Sequence, residues 1–248
     1  MRSTNNIRHT SHVTRHKTGN RRVVITIDGP AGVGKSTTAK LLAQRLGVMY
    51  LDTGATYRAL AFAARLRENL NPVTDAKQIA SLGRRLPLEL CRQPDGTLRV
   101  LLDGEDVTRQ IRTEEITEAA AQISQHPEVR KAMVALQRRL ANEQGIVVEG
   151  RDTGSVVFPK ADYKFFLDAD PDVRARRRQE ELKRMYGSRP PLKQIREQIH
   201  FRDGLDRSRR VGPLVKPRGA RAIDTTHRTA PQVVRVMLRH IGSLQPAA

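Results

Sequence analysis

Hydrophobic residues in this chain form short runs that alternate with segments of helical periodicity. Five runs have the length and apolar character of strands buried on both faces, at residues 23–27, 48–51, 145–149, 163–168 and 221–224. Between these runs apolar residues return every three or four positions, as in the segment of residues 37–46 that stops at Gly47. The alternation predicts an α/β fold, with a parallel sheet at its core and helices packed around it.

One stretch of the pattern does not fit a parallel sheet. In LPLELCRQPDGTLRVLLDGEDV, residues 86–107, apolar residues alternate at Leu86, Leu88 and Leu90 before a Pro-Asp-Gly turn at residues 94–96. The alternation resumes after the turn, which predicts an antiparallel hairpin. A hairpin within an otherwise parallel core predicts a lobe inserted into the main fold.

The composition of the 248 residues, 38% hydrophobic and 29% charged, is typical of one large globular domain. No run approaches the roughly 18 apolar residues that a membrane helix needs, so we expect no membrane partner. The single cysteine, Cys91, cannot form an internal disulfide, which favours a reducing compartment. We therefore expect a cytoplasmic protein.

The formal net charge of +19 is concentrated in two stretches of the chain. Residues 1–22 hold six Lys or Arg and no acid, and they predict a disordered basic tail, with an organellar presequence as the alternative. Residues 173–210 carry a further net charge of +8. An ATP-dependent nucleic-acid-binding protein is one interpretation of this charge. Aromatic residues make up only 4% and do not alternate with the arginines, so we expect no requirement for nucleic acid.

The segment GPAGVGKST follows the first predicted strand and precedes the first predicted helix, which is the setting of a phosphate-binding loop. Its glycines allow backbone N–H groups and the helix N-terminus to face a polyphosphate. Lys35 would bring a positive charge to the β- and γ-phosphates, and the Ser36 hydroxyl would ligate Mg²⁺. We predict a nucleoside triphosphate site. The residues expected to bind the triphosphate are Gly29, Pro30, Ala31, Gly32, Val33, Gly34, Lys35, Ser36 and Thr37.

Polar residues at the ends of two other predicted strands are candidates for binding the phosphoryl acceptor. LDTGATYRA places Tyr57 and Arg58 beyond the second strand, and EGRDTGSVVFP places Arg151 and Asp152 beyond a third. The carboxyl edge of an open α/β sheet is where such folds bind ligands. A solvated helix residue at Arg58 and a local turn at Arg151–Asp152 are the alternatives. The chain has no Asn-Lys-x-Asp segment, which argues against a GTPase.

Two arginine-rich segments follow in the last third of the chain. RDGLDRSRR spaces Arg202, Asp206 and Arg209 along one face of a predicted helix. Spacing alone favours a surface helix there, with i,i+4 ion pairs between Arg202 and Asp206 and between Asp203 and Arg207. Upstream, Arg174 and Arg178 lie on adjacent turns of another predicted helix, which would be either solvated or part of a mobile lid.

Six segments taken in order resemble the bacterial cytidylate kinase, or CMP kinase, family of P-loop nucleoside monophosphate kinases. They are ITIDGPAGVGKST, LDTGATYRA, IRTEEI, GRDTGSVVFP, FFLDA and RDGLDRSR. The resemblance implies a P-loop three-layer α/β fold with a parallel sheet core, an inserted lobe carrying a small antiparallel sheet, and a short helical lid. It implies a kinase domain at residues 23–248, with the inserted part of the monophosphate-binding lobe at about 73–112 and the lid at about 171–192.

The resemblance also implies an activity, which is transfer of the γ-phosphoryl group of ATP to CMP or dCMP, with Mg²⁺, by a monomer. UMP, AMP or a non-nucleotide metabolite as acceptor is the alternative. The implied catalytic residues are Lys35, Arg151, Arg174, Arg178 and Arg209. The implied substrate-binding residues are Thr53, Tyr57, Arg58, Arg112, Arg130, Arg151, Asp152, Arg202, Asp206 and Arg209.

Within this implied set, the roles differ from one residue to the next. Arg58, Arg151 and Arg209 would hold the acceptor phosphate, with Tyr57 lining that pocket. Arg130 and Asp152 would recognise cytosine, Asp206 and Arg202 would engage the ribose, and Arg174 and Arg178 would belong to the lid. For Arg112 a structural ion pair is the alternative. The chain has Ala121 where the family often has a base-contacting serine, so we expect looser discrimination between bases.

Overall fold

Strands and helices alternate along the chain in the computed structural model, which describes residues 23–93, 98–141 and 145–243. The strands are β1 (Val24–Asp28), β2 (Met49–Asp52), β3 (Leu88–Arg92), β4 (Leu98–Leu102), β5 (Glu105–Asp106), β6 (Ile146–Gly150), β7 (Tyr163–Asp168) and β8 (Arg221–Asp224). The helices are α1 (Lys35–Leu46), α2 (Thr53–Phe62), α3 (Ala76–Arg85), α4 (Glu114–Ile123), α5 (Pro127–Leu140), α6 (Pro171–Tyr186), α7 (Leu192–Ser208) and α8 (Ala230–Ser243).

The main sheet has five parallel strands in the order β2-β6-β1-β7-β8. β1 lies at its centre, with Val24 opposite Ile146 of β6 and Ile25 opposite Tyr163 of β7. Ile25 and Ile27 are fully buried, as expected for a strand covered on both faces. Each of the five predicted strands occurs within one residue of its predicted bounds. The prediction of a parallel sheet core is confirmed.

Helices flank this sheet and pack on it through apolar side chains. One buried cluster joins α1 and α8 to β1 and β7, and includes Leu42, Phe165 and Met237. A second buried cluster joins α2, α3, α4 and α5, and includes Leu60, Ile79 and others from all four helices. No helix within the described ranges is long and apolar enough to cross a membrane.

A second, smaller sheet is antiparallel and has the order β3-β4-β5. Leu88 pairs with Leu102 and Leu90 with Val100, which confirms the predicted hairpin. Leu86 was predicted within the alternating strand, but it lies before β3, at the C-cap position that follows α3. The predicted Pro-Asp-Gly turn and the predicted basic tail lie outside the described residues.

The topology brings the predicted site segments to one edge of the main sheet. The glycine-rich loop follows β1, α2 begins directly after β2, Arg151 follows β6, and α6 follows β7. Because all five strands are parallel, their carboxyl ends meet at that edge.

Candidate active site

The glycine-rich loop between β1 and α1 is held by contacts from distant parts of the chain. Thr225, just after β8, donates a hydrogen bond from its hydroxyl to the Val33 carbonyl at 3.0 Å. Gly32 has a φ of +78°, and a Cβ there would lie 2.9 Å from the carbonyl oxygen of Arg174. Both the left-handed backbone and the close approach favour glycine at this position. The buried Lys35 donates from Nζ to the Pro30 carbonyl at 2.6 Å.

A cavity of about 860 Å³ opens in front of this loop. Most of the predicted site residues lie on its wall: Ala31, Gly32, Val33, Gly34, Lys35, Ser36, Thr37, Thr53, Tyr57, Arg58, Arg112, Arg130, Arg151, Asp152, Arg178, Arg202, Asp206 and Arg209. Gly29, Pro30 and Arg174 do not line it. The fold therefore brings the triphosphate-binding segment and the acceptor-binding segments to one cavity, although they are far apart in sequence.

Asp206 is the centre of an arginine cluster on the cavity wall. Its Oδ2 accepts a hydrogen bond from Arg151 Nε at 2.7 Å, and its Oδ1 accepts one from Arg209 Nη2. The i,i+4 pairing that spacing favoured, Arg202 with Asp206, is wrong, because the carboxylate faces Arg151 and Arg209 instead. The single helical face predicted for Arg202, Asp206 and Arg209 is also wrong, since α7 ends at Ser208 and Arg209 is extended, with φ −56° and ψ 133°.

Arg130 and Asp152 form a buried ion pair deeper in the cavity, and both side chains are less than 10% exposed. Arg130 also donates from Nη1 to the Ser124 carbonyl at 3.3 Å, and its guanidinium lies 5.7 Å from the centre of the Tyr57 ring. Arg151 and its neighbour Asp152 therefore bind separate partners and do not form a local turn pair. A buried, charged pair with defined orientation is suited to recognising a polar ligand edge.

Arg58 is not the solvated helix residue of the alternative interpretation. Its Nη2 donates to Asp52 Oδ2 at 3.0 Å, and both side chains are 16% exposed. The other Asp52 oxygen accepts from the Ala55 N–H at 3.0 Å and so caps α2. Burial raises the pKa of Asp52, but the charges of Arg58 and Arg112, with the cap hydrogen bond, hold it below its ordinary value.

Cations on the cavity wall are crowded and poorly solvated. Burial, followed by the charge of Arg151, lowers the pKa of Lys35 to about 7. Burial and the neighbouring arginines lower the pKa of Arg202 to about 10. Burial also lowers the pKa of Arg209. Because desolvation and mutual repulsion both disfavour these charges, an anionic ligand would be bound favourably here.

Three buried guanidinium groups keep a free donor. The Nε atoms of Arg58, Arg130 and Arg209 have no hydrogen-bond partner among the residues that the structure describes. Leaving a buried donor unpaired costs about 1–3 kcal/mol. All three belong to the set of arginines predicted to bind the acceptor.

The arginines of α6 face in different directions. Arg178 lies on the cavity wall and pairs with Glu181 at 2.9 Å. Arg177 donates to the Thr225 hydroxyl at 3.0 Å and to its carbonyl at 2.6 Å. Arg174 is directed away from the cavity wall, towards the backbone of the glycine-rich loop. The lid roles of Arg174 and Arg178 stay predictions.

The far end of α6 reaches the wall that carries Arg112. The hydroxyl of Tyr186 donates to the Arg112 carbonyl, and both residues line the cavity. Arg112 forms no salt bridge within the described part of the chain, so its alternative role as a structural ion pair has no support there.

Comparison with known proteins bears on the identity of this site. A sequence model of the family described as Cytidylate kinase matches residues 25–243. The chain belongs to the cytidylate kinase family. The match spans all the predicted site segments, from the glycine-rich loop to the arginines that follow α7, and it confirms the resemblance and the prediction of an enzyme of this kinase type.

Individual cytidylate kinases are similar over nearly their whole length. That of Symbiobacterium thermophilum is 46% identical over 222 residues, which cover 90% of this chain and 97% of that protein. That of Caldanaerobacter subterraneus subsp. tengcongensis is 47% identical over 215 residues, covering 87% and 92%. That of Geobacillus kaustophilus is 46% identical over 219 residues, covering 88% and 96%.

Sequence reasoning missed Glu149 in this cytidylate kinase-family site. It accepts a hydrogen bond from the Tyr50 hydroxyl at 2.6 Å, and it lines the cavity together with Ser36. Burial, followed by the charge of Asp52, raises the pKa of Glu149, while Lys35 opposes that rise. The position of Glu149 in the sequence could have identified it, because an acidic residue near the end of an otherwise apolar strand requires a polar partner.

Proposed function

We propose that this protein transfers the γ-phosphoryl group of ATP to CMP or dCMP and releases ADP with CDP or dCDP. One observation carries the proposal, which is that a phosphate-binding loop and a cluster of arginines line the same cavity. Two anionic substrates bound there would meet at their phosphates. Membership of the cytidylate kinase family supports CMP as the acceptor.

The acceptor phosphate would be held by Arg58, Arg151 and Arg209. Guanidinium groups suit this task because their planar forks bind phosphate oxygens with two hydrogen bonds. All three line the cavity in which the phosphate would bind. Asp206 already holds Arg151 and Arg209 in place, so little reorganisation would be needed when the phosphate binds.

The base and sugar of the acceptor would contact the deeper part of the cavity. Arg130 and Asp152 present a donor and an acceptor side by side, which is the pattern needed for the polar edge of cytosine. Asp206 and Arg202 would engage the ribose hydroxyl groups, and Thr53 and Arg112 would complete the acceptor site. Ala121 lies on the same wall and offers no side-chain hydrogen bond, so discrimination against UMP would depend on the Arg130–Asp152 pair.

The donor triphosphate would lie against the loop of residues 29–37, with Lys35 at its β- and γ-phosphates. The donor set around Ser36 fits Mg²⁺, since its hydroxyl lies on the cavity wall with the carboxylates of Glu149 and Asp52. When bound, the metal would neutralise phosphate charge. Arg178, in a lid of about residues 171–192, would add positive charge and help to exclude water.

The chemistry would be a direct in-line transfer. Phosphoryl transfer needs little covalent chemistry from the protein, because positioning and charge neutralisation supply most of the rate enhancement. Lys35, Arg151 and Arg209 would stabilise the charge that develops on the transferred group. No phosphorylated protein intermediate is expected, and isolating one during turnover would contradict the proposed mechanism.

A panel of acceptors tests the proposal. ADP release from ATP is measured with CMP, dCMP, UMP, AMP and no acceptor, with Mg²⁺ present. We expect CMP and dCMP to give the highest kcat/KM, and Lys35→Ala to reduce turnover by at least about 100-fold. A higher kcat/KM for UMP or AMP than for both cytidine nucleotides would refute it. ATP hydrolysis that is stimulated by duplex DNA and not by CMP would favour the nucleic-acid alternative.

A further inference from the structure

One buried ion pair holds both main-chain hydrogen-bonding groups of Ala31 in the glycine-rich loop. Arg174 of α6 donates from Nε to the Ala31 carbonyl at 2.6 Å. Asp203 of α7 accepts from the Ala31 N–H on Oδ1 at 3.1 Å. Its other oxygen, Oδ2, accepts from Arg174 Nη2, which closes the arrangement.

From this closed arrangement we propose that Arg174 and Asp203 are positioning residues that fix the loop in its donor-binding conformation. The inference rests on the proposed donor site. It assigns Arg174 an action through the loop backbone in place of contact with the reacting phosphate. It also gives a role to Asp203, which has no other in the proposed reaction.

Peptide geometry explains how the pair would act on the donor. The Ala31 carbonyl and the Gly32 N–H belong to one planar trans peptide, so they are directed to opposite sides. Holding the carbonyl against Arg174 therefore fixes the direction of the Gly32 N–H, and Gly32 lies on the cavity wall. The Ala31 N–H is already used by Asp203, so the amides available to a phosphate begin at Gly32.

Burial makes the two charges interdependent. The side chains of Arg174 and Asp203 are only 7% and 2% exposed. Removing one of a buried pair leaves the other uncompensated, whereas replacing both by apolar groups is often tolerated. Arg174 is further tied to the loop because its backbone carbonyl lies within 3 Å of where a Cβ on Gly32 would stand.

The simpler explanation is that the pair only joins α6 to α7. The chain offers a matched control for it, since Arg196 of α7 pairs with Asp172 of α6 at 2.9 Å. This second pair joins the same two helices, but its side chains are 50% and 54% exposed, whereas the Arg174–Asp203 pair is buried against the loop. An experiment can therefore distinguish a contact that only connects α6 to α7 from one that also fixes the loop.

The test compares Asp203→Asn with Asp172→Asn, and Arg174→Lys with Arg196→Lys. Asparagine keeps the shape of aspartate without its charge. Lysine keeps the charge of arginine but lacks the planar guanidinium group, whose fixed geometry lets Arg174 bond two partners at once. Calorimetry measures the Kd of a non-hydrolysable ATP analogue and, separately, that of CMP. We expect Asp203→Asn and Arg174→Lys to raise the Kd of the analogue by about tenfold or more, and the Kd of CMP by less than about threefold. Both control variants should bind both ligands as the wild type does.

A second readout reports on the loop without any ligand. Hydrogen exchange at the Ala31 amide should be faster in Asp203→Asn than in Asp172→Asn, because only the first loses a charged acceptor at that N–H. If a single variant fails to fold, the double variant Arg174→Met/Asp203→Leu removes both charges together. We expect that variant to fold and to bind the analogue weakly.

The outcomes distinguish failure of the positioning role from failure of the proposed donor site. The positioning role would be overturned if Asp203→Asn and Arg174→Lys both bound the ATP analogue as the wild type does. It would also be overturned if these variants lost affinity for the analogue and for CMP equally, in proportion to their fall in melting temperature. In either case the proposed function would stand. A wild-type protein that binds no ATP analogue would overturn the proposed donor site, and with it this inference.

Discussion

The pKa of Lys35 leads to a measurable pH dependence of donor binding. Burial and the charge of Arg151 lower this pKa to about 7, while Glu149, Asp206 and Asp203 act in the opposite direction. A bound triphosphate would favour the charged lysine and raise its pKa. Binding would therefore take up a proton, and affinity for ATP would fall as the pH rises above about 7.

The size of the effect follows from the fraction of protonated lysine. A group with a pKa of about 7 is about one-quarter protonated at pH 7.5 and about one-hundredth protonated at pH 9. If only the protonated form binds the triphosphate, the apparent affinity falls about 25-fold across that interval. The phosphate groups add little to this change, because a phosphate with a second pKa of about 6 is already ionised at these pH values.

Calorimetric titration with a non-hydrolysable ATP analogue measures the effect. Experiments in two buffers of different ionisation enthalpy should show uptake of about three-quarters of a proton at pH 7.5. Lys35→Arg is the control, because a guanidinium stays charged throughout, and its affinity should not change with pH over this range. A wild-type affinity that is flat from pH 7.5 to 9 would refute the reasoning, and so would an equal slope in Lys35→Arg.

Three further substitutions test other parts of the site and fold. Asp206→Asn releases its two arginine partners and should raise the KM for CMP by about tenfold with little change for ATP, which steady-state kinetics would show. Arg130→Met leaves a buried carboxylate unpaired and should lower the free energy of unfolding by about 3–5 kcal/mol; a loss below about 1 kcal/mol in urea unfolding would contradict this. Gly29→Ala would place a Cβ 2.2 Å from the Leu167 carbonyl at a φ of +151°, and should destabilise far more than Gly104→Ala, where φ is +77° and the space is open.

The central strands of the main sheet could be predicted from the sequence because they are buried on both faces, as in β6, where all five residues are buried. Each of these strands is a short apolar run, and the helices between the strands carry a different periodicity. The edge strand β8 was also predicted to be a buried strand, but only Ile223 of its four residues is buried. The two-residue β5, Glu105–Asp106, had no such signal, since both of its residues are exposed and a strand of that length has no period. It pairs with β4, where Leu101 lies opposite Asp106 and Leu102 lies opposite Glu105.

The candidate site could be predicted only where its signal was local. The glycine-rich loop is defined by nine consecutive residues, Arg151 directly follows β6, and Arg58 lies on the helix that begins after β2. The ion pairs could not be predicted in this way, because Asp206 pairs with Arg151 from 55 positions away. Spacing along a helix identifies only neighbours on that helix, so it favoured Arg202 as the partner of Asp206.

Contacts with carbonyl and carboxylate oxygens determine how the cavity keeps its positive charge. Lys35 is held by the Pro30 carbonyl, Arg58 by Asp52, and Arg151 and Arg209 by Asp206. Each contact satisfies only part of its cation's hydrogen-bonding capacity, since a guanidinium has five N–H groups and an ammonium three. A phosphate could therefore bind the remaining donors of the arginines without displacing Asp52 or Asp206. Because side chains already fixed in place lose little entropy on binding, the acidic residues of this site would lower the entropic cost of binding a phosphate.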